Sequence, residues 1–286
     1  MFKSLLFSRL CLIFVTGAAL AASSAPPARA DLLDDIKKNG KITIATEARF
    51  PPFEFVENGK IVGYGRDMLD LIMARMPGVK VEQLDLPWQG ILPGLAAKKF
   101  DFVVTSVGIT KERADKYALT LPIADGTVGL LKRKSDTAIA KPEDIAGKVV
   151  GTQAGSSHLK TLQDYDAKLK RETGKGVGQI KEYIDFNEAF ADLGAGRIQA
   201  VAHSISNLGP LIKQRGDTFA VVEPPFGPRN YFSWAGRKEP DSATLVQFFN
   251  EGIAELNRSG KMKELQQKWF GFAMDVPADK VPDPVM

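Results

Sequence analysis

The chain has 286 residues, with 38 basic and 34 acidic side chains, a formal net charge of +4 and one cysteine. A single cysteine excludes an intramolecular disulfide. The length is enough to bury a substantial core and lies where chains tend to divide into two lobes.

Residues 1–30 predict a cleavable signal peptide. Lys3 and Arg9 make a positive start, residues 10–20 (LCLIFVTGAAL) form an apolar run, and residues 28–30 read Ala-Arg-Ala, a typical cleavage site. The run is shorter than the ~20 residues that a bilayer-spanning helix needs. Cys11 lacks the small neighbours of a lipid attachment site. We therefore expect a soluble periplasmic protein.

Removal of this segment changes the charge of the chain. It takes away Lys3, Arg9 and Arg29 and no acidic residue, which leaves 35 basic and 34 acidic side chains. A net charge near +1 gives no reason to expect a nucleic-acid partner or an anionic membrane surface. The loss of Cys11 excludes thiol nucleophiles and Cys-ligated metals from the mature chain.

The first half of the mature chain alternates between helical and strand patterns. The spacing of apolar residues predicts helices at 31–39, 68–76 and 89–99, and strands at 41–46, 79–84, 100–106 and 127–133. This order implies a parallel sheet with right-handed crossovers and ligand sites at the carboxyl ends of its strands. The loops after Ile44, Leu84 and Val104 should therefore face one cleft.

The same pattern begins again at residue 148. It predicts strands at 149–152, 179–184 and 200–204, helices at 157–172 and 187–195, and a final amphipathic helix at 246–269. Residues 276–286 are rich in proline and predict a loosely held tail. The repeated pattern predicts an α/β fold with two doubly wound lobes.

Signatures of hydrolytic and metal-dependent enzymes are missing from the sequence. It has no H-E-x-x-H, G-x-S-x-G or P-loop motif, and His158 and His203 are its only histidines. We predict no catalytic residue, no cofactor and no metal.

Residues 105–113 (TSVGITKER) have the composition of an anion site. They leave a predicted strand with small polar residues, offer backbone N–H groups around Gly108, and place Arg113 near a helix start. A carboxylate would meet a positive helix end and a guanidinium fork there. The alternative is that Arg113 pairs with Glu112 or Asp115 on the surface.

Two further sets of residues belong to predicted loops at strand ends. Ser156 and Ser157 open a helix, so their hydroxyls either cap it or face the cleft. The aromatic residues either pack in the core or bind an organic ligand by apolar and cation–π contact; they are Phe50, Phe53, Phe55 and Trp88.

The order of these motifs resembles the periplasmic solute-binding proteins of amino-acid ABC transporters, family 3, the polar-amino-acid class. The stretches that carry the resemblance are RFPPFEFVENGKIVGYGRDML (49–69), PWQGILPGLAAKKFDFVVTSVGITKERADKYALTLP (87–122), EDIAGKVVGTQAGSS (143–157), NEAFADLGAGRIQAVAHS (187–204) and SGKMKELQQKWFG (259–271). It implies two lobes, residues 31–129 with 230–286 and residues 130–229, joined by two crossing strands of a type II binding-protein fold.

The resemblance also implies a ligand-binding site. Arg113 would fork onto the ligand carboxylate, helped by the backbone N–H groups of Gly108 and Ser157, and Phe50 and Trp88 would flank the ligand. The other implied contacts are Glu47 with a polar or cationic group, Thr105 and Ser106 with the ammonium, and Gln153 and His203 near the ligand. The second lobe would close over the ligand through Ser156 and Ser157.

Two positions depart from the family pattern. Gly108 stands where a hydroxyl residue is usual, and Ser204 stands where the aspartate that pairs with the α-ammonium is usual. A buried ammonium without a counter-charge is costly. We therefore expect a betaine-, ectoine- or opine-like derivative with Glu47 as its anionic partner. The alternative is an ordinary amino acid, with Glu47 or water replacing the aspartate.

The implied function is capture of a small carboxylate ligand by a monomer and its delivery to an ABC permease. A periplasmic cyclohexadienyl (arogenate or prephenate) dehydratase is built on the same scaffold, and Glu47 or His203 would then be its general acid. Ligand sensing for a signalling receptor is a third alternative.

Overall fold

The computed structural model describes residues 31–285, so the predicted signal peptide lies outside the described residues. The strands, in chain order, are β1 (Lys41–Thr46), β2 (Arg49–Phe50), β3 (Glu54–Glu57), β4 (Lys60–Val62), β5 (Lys80–Asp85), β6 (Phe102–Gly108), β7 (Tyr117–Leu119), β8 (Ala124–Asp125), β9 (Val128–Arg133), β10 (Val149–Gln153), β11 (Gln179–Tyr183), β12 (Ala200–Ser204), β13 (Phe219–Phe226) and β14 (Tyr231–Arg237).

The helices cover both faces of the sheets. They are α1 (Leu32–Asn39), α2 (Tyr64–Met73), α3 (Trp88–Ala96), α4 (Lys111–Lys116), α5 (Ser157–Thr173), α6 (Phe186–Gly194), α7 (Ile205–Arg215), α8 (Ala243–Arg258) and α9 (Lys261–Trp269), with short 3₁₀ turns at Pro142–Ile145 and Pro240–Ser242. Among residues 31–285, no helix combines the length and apolar character needed to cross a bilayer.

Each lobe is built on one sheet. The first has the order β5-β1-β6-β14-β7, with β8 also paired to β14, and the second has the order β11-β10-β12-β9-β13. The strands β1, β5 and β6 run parallel, as do β10, β11 and β12. The predicted two-lobed α/β fold is therefore confirmed. The chain passes from the first sheet to the second between Asp125 and Val128 and returns between Phe226 and Tyr231.

The carboxyl ends of the parallel strands of both sheets bear the predicted polar residues. In the first lobe Glu47 follows β1, and Thr105 and Ser106 lie in the second half of β6. In the second lobe Gln153 ends β10 and Ser204 ends β12. Ligand sites of α/β sheets form at this edge. The topology therefore brings residues that are far apart in sequence to one interlobe gap.

Two of the predicted regions differ from the structure, and several elements, among them α7, β13 and β14, were not predicted. Residues 246–269 form two helices, because the chain turns at Gly260 with φ +77°, a left-handed conformation that favours glycine. The aromatic loop after β1 is part of a small antiparallel sheet, β2-β3-β4, which holds Phe50 against the second lobe. The ring centroids of Phe50 and Phe186 are 5.8 Å apart across the two lobes.

Candidate ligand-binding site

A cavity lies between the lobes at the carboxyl ends of the two sheets. It is called the central cavity here and is lined by Glu47, Phe50, Trp88, Thr105, Ser106, Arg113, Gln153, Ser156, Ser157 and His158. It leaves about 10 Å³ for the centre of a water-sized sphere, room for about one water molecule. An amino acid does not fit this space, so its entry requires the lobes to separate.

Arg113 is buried and points into the interlobe gap, with 8% of its surface exposed. Its Nη1 donates to the carbonyl of Gly108 in its own lobe at 3.0 Å, and its Nη2 donates to the carbonyl of Gly155 in the second lobe at 3.0 Å. The guanidinium lies 4.9 Å from the centre of the Trp88 ring. Burial lowers the pKa of Arg113, yet the group keeps its charge at neutral pH.

The surface alternative for Arg113 does not hold. Glu112 pairs with Lys116 at 2.8 Å, and Asp115 pairs with Lys111 at 3.0 Å, both one helical turn apart. Each neighbouring acid therefore has another cation as its partner. Arg113 instead contacts the two lobes and an aromatic face, which is an arrangement suited to closing on an anion.

Gly108 and Ser157 approach each other across the gap. A Cβ added at Gly108 would lie 2.2 Å from Ser157 Oγ and 3.3 Å from Arg113 Nη1. The missing side chain at Gly108 therefore lets the second lobe come close to the first. Ser157 begins α5, and Ser156 caps that helix, because its Oγ accepts from the backbone N–H of Leu159 at 3.1 Å.

Glu47 and Gln153 join the lobes on the other side of the cavity. The Gln153 side-chain amide donates to Glu47 Oε1 at 2.5 Å and to the carbonyl of Ile184 at 3.1 Å. Burial raises the pKa of Glu47 to about 7, although the bond from Gln153 opposes this shift. Glu47 can therefore exist as carboxyl or carboxylate near neutrality, and a cation beside it would favour the carboxylate.

Thr105 and Ser106 present hydroxyls to the cavity in different ways. Thr105 Oγ1 donates to Glu54 Oε2 at 3.1 Å, whereas the buried Ser106 Oγ has no hydrogen-bond partner in the described chain. Glu54 is fully buried, and burial raises its pKa well above the usual range. Its other oxygen would lie 1.8 Å from a Cβ at residue 65, which explains why that position is glycine.

Three of the predicted site residues, Gly108, His203 and Ser204, do not line the central cavity. The backbone N–H of Ser204 donates to His203 Nδ1 at 2.7 Å, and the Ser204 hydroxyl bonds to the side chain of Asn207. His203 stacks on Phe186 with ring centroids 3.7 Å apart. Burial lowers the pKa of His203 well below its usual range, so the imidazole is neutral in this wall.

His158 lines the cavity although the sequence analysis did not select it for the site. It is 2% exposed, and neither ring nitrogen has a hydrogen-bond partner in the described part of the chain. Burial and the nearby Arg113 lower its pKa to about 3. His158 is the second residue of α5 and directly follows Ser157, a predicted ligand-binding residue. This neighbour was the feature of the sequence that could have identified His158.

Further bonds between the lobes lie at the rim. Gln89 of α3 donates to the carbonyls of Ala154 and Ile184 at 3.3 and 3.1 Å, and Asn207 of α7 donates to the carbonyl of Pro51 at 2.8 Å. The closed arrangement therefore has protein-only bonds on several sides of the cavity. Within residues 31–285 no group of three or more His, Cys, Asp or Glu is placed to hold a metal ion.

Comparison with known proteins gives a consistent result. The family model of bacterial extracellular solute-binding proteins, family 3, matches residues 42–272. The L-cystine-binding protein TcyJ of Escherichia coli strain K12 is 30% identical over 267 residues, which cover 92% of this chain and 96% of TcyJ.

Solved structures of similar proteins include amino-acid complexes. An ancestral arginine-binding protein bound to arginine has a TM-score of 0.70 and 31% identity, over 81% of this chain and 99% of the other. A substrate-binding protein of an ABC uptake transporter from Streptococcus pneumoniae, with bound histidine, has a TM-score of 0.76 and 26% identity, over 86% and 99%. The chain belongs to family 3 of the bacterial extracellular solute-binding proteins, the amino-acid-binding proteins of ABC transporters.

Proposed function

We propose that the protein binds a small zwitterionic carboxylate, an amino acid or an amino-acid derivative, between its lobes and delivers it to an ABC permease. The observation that supports this best is the pairing of a buried guanidinium, Arg113, with a buried carboxyl group, Glu47, in one interlobe cavity. A zwitterion offers complementary charges to both groups. The known relatives bind cystine, arginine or histidine according to their names.

The binding cycle follows from the positions of the charged groups. In the open form the ligand carboxylate binds Arg113 on the first lobe, and its cation faces Glu47. Closure then adds Ser156, Ser157 and Gln153 of the second lobe. To shift a hinge from 1:99 to 99:1, a ligand must bind the closed form by about 5.5 kcal/mol more tightly. One or two charge-assisted bonds at about 1.5–3 kcal/mol each, with ring contacts, supply most of this.

The predicted lobes are residues 31–129 with 230–286 and residues 130–229. Since β9 pairs in the second sheet from Val128, we place the first boundary of this proposal at Gly126. The two crossings near Gly126 and Gly227 are then the hinge. Export by the signal peptide places the protein in the periplasm as a monomer. The permease then binds the closed protein and not the open one, because the two lobes are arranged differently in the two forms.

A derivative whose cation is blocked, delocalised or displaced suits the site better than a plain α-amino acid. The Ser204 hydroxyl donates a hydrogen bond to Asn207 and does not line the central cavity. Glu47 is therefore the acidic residue of the lining, in the described part of the chain. This favours betaine-, ectoine- or opine-like ligands. The coarser proposal is that the ligand is a small zwitterionic carboxylate, and the finer one is that it is such a derivative. Thermal-shift screening of amino acids, betaines, ectoine, opines and dicarboxylates, followed by calorimetry, tests both proposals, because a bound ligand raises the melting temperature.

The outcomes of this screen are distinct. Stabilisation by betaines or opines but not by plain amino acids supports the finer proposal. Tight binding of an unmodified amino acid refutes the finer proposal and keeps the coarser one. If only compounds without a carboxylate bind, the coarser proposal is wrong as well.

A dehydratase is the second candidate, and the pKa of Glu47 near 7 favours it, because a general acid works best near the ambient pH. His203 does not suit that role, since its imidazole is neutral and its Nδ1 accepts a backbone hydrogen bond. Incubation with arogenate or prephenate tests this candidate. Formation of the aromatic product above the rate of the Glu47→Gln variant would establish an enzyme, and its absence leaves the binding function.

A further inference from the structure

A second cavity lies next to the central cavity, on the far side of the Phe50 ring. It is called the inner chamber here, and its walls include Phe50, Pro52, Phe186, Phe190, His203 and Leu211. It leaves about 60 Å³ for the centre of a water-sized sphere, against about 10 Å³ in the central cavity. Phe50 lines both spaces and is the partition between them.

The partition is held by ring contacts. The Phe50 ring lies 5.1 Å from His203, 5.8 Å from Phe186 and 6.1 Å from Phe232, measured between centroids, and its backbone belongs to the two-residue strand β2. A phenyl ring makes no hydrogen bond that would fix its position. Phe186 and His203 belong to the second lobe, so parting of the lobes removes these ring contacts and lets Phe50 turn and join the two spaces.

Most of the walls of the inner chamber are aromatic rings, prolines and a leucine, and Arg49 is the charged residue of the lining among the described residues. His203 stacks on Phe186 at 3.7 Å and lies nearly parallel to Phe190 at 5.8 Å, and its Nδ1 accepts a hydrogen bond from the backbone N–H of Ser204. Apolar and aromatic groups pack well against such faces.

Two of the polar residues that line the chamber, Arg49 and Asn207, have partners in the protein. Arg49 pairs with Asp85 at 3.2 Å, and Asn207 donates to the carbonyl of Pro51. In the described part of the chain, the lining includes no Asp or Glu. A cationic side chain in this chamber would give up part of its hydration without gaining a counter-charge.

The position of Arg113 gives the ligand a direction. Arg113 and Trp88 also line an outer groove between α3, α4 and α5, so they stand at the outer side of the central cavity. Phe50 stands at the side of the inner chamber. A ligand with its carboxylate on Arg113 and its cation at Glu47 therefore has the inner chamber beside its remaining substituent.

We propose that the inner chamber receives a neutral apolar or aromatic substituent of the ligand, carried on its α-carbon or on its nitrogen, with Phe50 turning to admit it. This inference rests on the proposed binding of a carboxylate at Arg113. It goes beyond that function by naming the part of the ligand that determines specificity. Short ligands and ligands with a charged side chain then bind more weakly.

Calorimetry with matched probes tests the proposal. The pairs are L-alanine with L-phenylalanine, and N-methyl-L-alanine with N-benzyl-L-alanine, and L-arginine is the charged probe. Leu211→Trp fills the chamber from α7, outside the central cavity. Leu71→Trp, on the exposed face of α2, is the matched control. Leu211→Ala, which enlarges the chamber, keeps the test valid if the larger residue disturbs folding.

We expect the ring-bearing member of at least one pair to bind at least tenfold more tightly than its short partner and than arginine. Leu211→Trp should remove this gain and change the short probe less than twofold, while Leu71→Trp changes neither. Leu211→Ala should improve L-tryptophan relative to L-phenylalanine. The proposal is overturned if neither pair shows a gain or if the gain survives Leu211→Trp. If none of these probes binds while the ligand screen finds a betaine, ectoine or opine that does, this inference is wrong and the proposed function stands. If the screen finds no carboxylate ligand either, the proposed function is wrong as well.

Discussion

Glu47 accepts a hydrogen bond from the side-chain amide of Gln153 at 2.5 Å, and this bond joins the carboxyl end of β1 in one lobe to that of β10 in the other. The two residues are 106 positions apart in sequence. Because the carboxyl is buried, its protonation state and the closure of the lobes depend on each other.

The first prediction concerns the pH dependence of stability through Glu47. Its pKa is about 7 in the closed protein, against 4.5 for the free side chain, and burial is the cause. The closed form therefore holds a proton that the unfolded chain loses above pH 4.5. This contribution, at most about 3 kcal/mol, is full below pH 4.5 and is lost as the pH rises through 7.

Glu47→Gln should remove that dependence and keep the shape of the side chain. Melting temperatures from pH 5 to pH 8 should fall less steeply for the variant than for the wild type. Equal slopes for the two proteins would show that Glu47 is not buried as a neutral acid.

The second prediction concerns the close approach of Gly108 and Ser157. A methyl group at Gly108 overlaps Ser157 Oγ, at 2.2 Å, so Gly108→Ala should hold the lobes apart. Overpacking of this kind costs about 1–3 kcal/mol, or roughly five- to a hundredfold in ligand affinity. Calorimetry measures the affinity, and small-angle scattering measures the opening.

Gly90→Ala is the matched control, since a Cβ there meets nothing within 4 Å. The double variant Gly108→Ala/Ser157→Gly removes the overlapping atoms and should recover most of the affinity. Failure of this rescue would mean that Gly108 acts through something other than space between the lobes.

The third prediction concerns His158. Burial, and to a smaller extent the charge of Arg113, lowers the pKa of His158 from 6.5 to about 3. Protonation of this imidazole is therefore unfavourable in the closed form. The stability that depends on neutral His158 is present above pH 6.5 and is lost as the pH falls towards 3, the opposite sign to Glu47. His158→Phe keeps a flat ring and removes two unpartnered nitrogens, so it should flatten the acid side of the stability profile.

Unfolding measurements between pH 3.5 and pH 7 test this directly, with His158→Asn as a polar comparison. If His158→Phe loses stability as steeply in acid as the wild type, the imidazole is not the group that resists protonation.

Much of the fold follows from local sequence pattern. The prediction for 31–39 matches α1, because Asp31 accepts from the N–H groups of Leu33 and Asp34 and Gly40 ends the helix with φ +66°. Strand β14 was missed because its role depends on pairing with β6, more than a hundred residues away. The pattern of apolar residues within one segment cannot predict a pairing between two distant strands.

The residues of the candidate site could also be predicted only where the local sequence fixes the backbone. The motif around Arg113 placed the guanidinium in the gap, since a strand end and a helix start fix the backbone there. His158 was missed because its burial and its lack of partners arise only when α5 packs against the first lobe. His203, expected near the ligand, lies instead in the stacked wall behind Phe50.

The fourth prediction concerns the carboxylate partner. The probe is the amino acid or derivative that binds most tightly in the screen, together with its carboxamide, which has the same shape and no negative charge. In the proposed complex Arg113 makes charge-assisted bonds to the ligand carboxylate, so the wild type should prefer the carboxylate by about 1.5–3 kcal/mol, roughly ten- to a hundredfold. Arg113→Lys, which keeps the charge without the fork, should keep part of this preference.

Calorimetric affinities of the carboxylate and the carboxamide for the wild type and for Arg113→Ala are the most direct test, because the ratio between the two ligands cancels any general effect of the mutation on closure. We expect the preference for the carboxylate to disappear in Arg113→Ala. An Arg113→Ala protein that still prefers the carboxylate by the wild-type factor would contradict the assignment of Arg113 as the anion-binding residue.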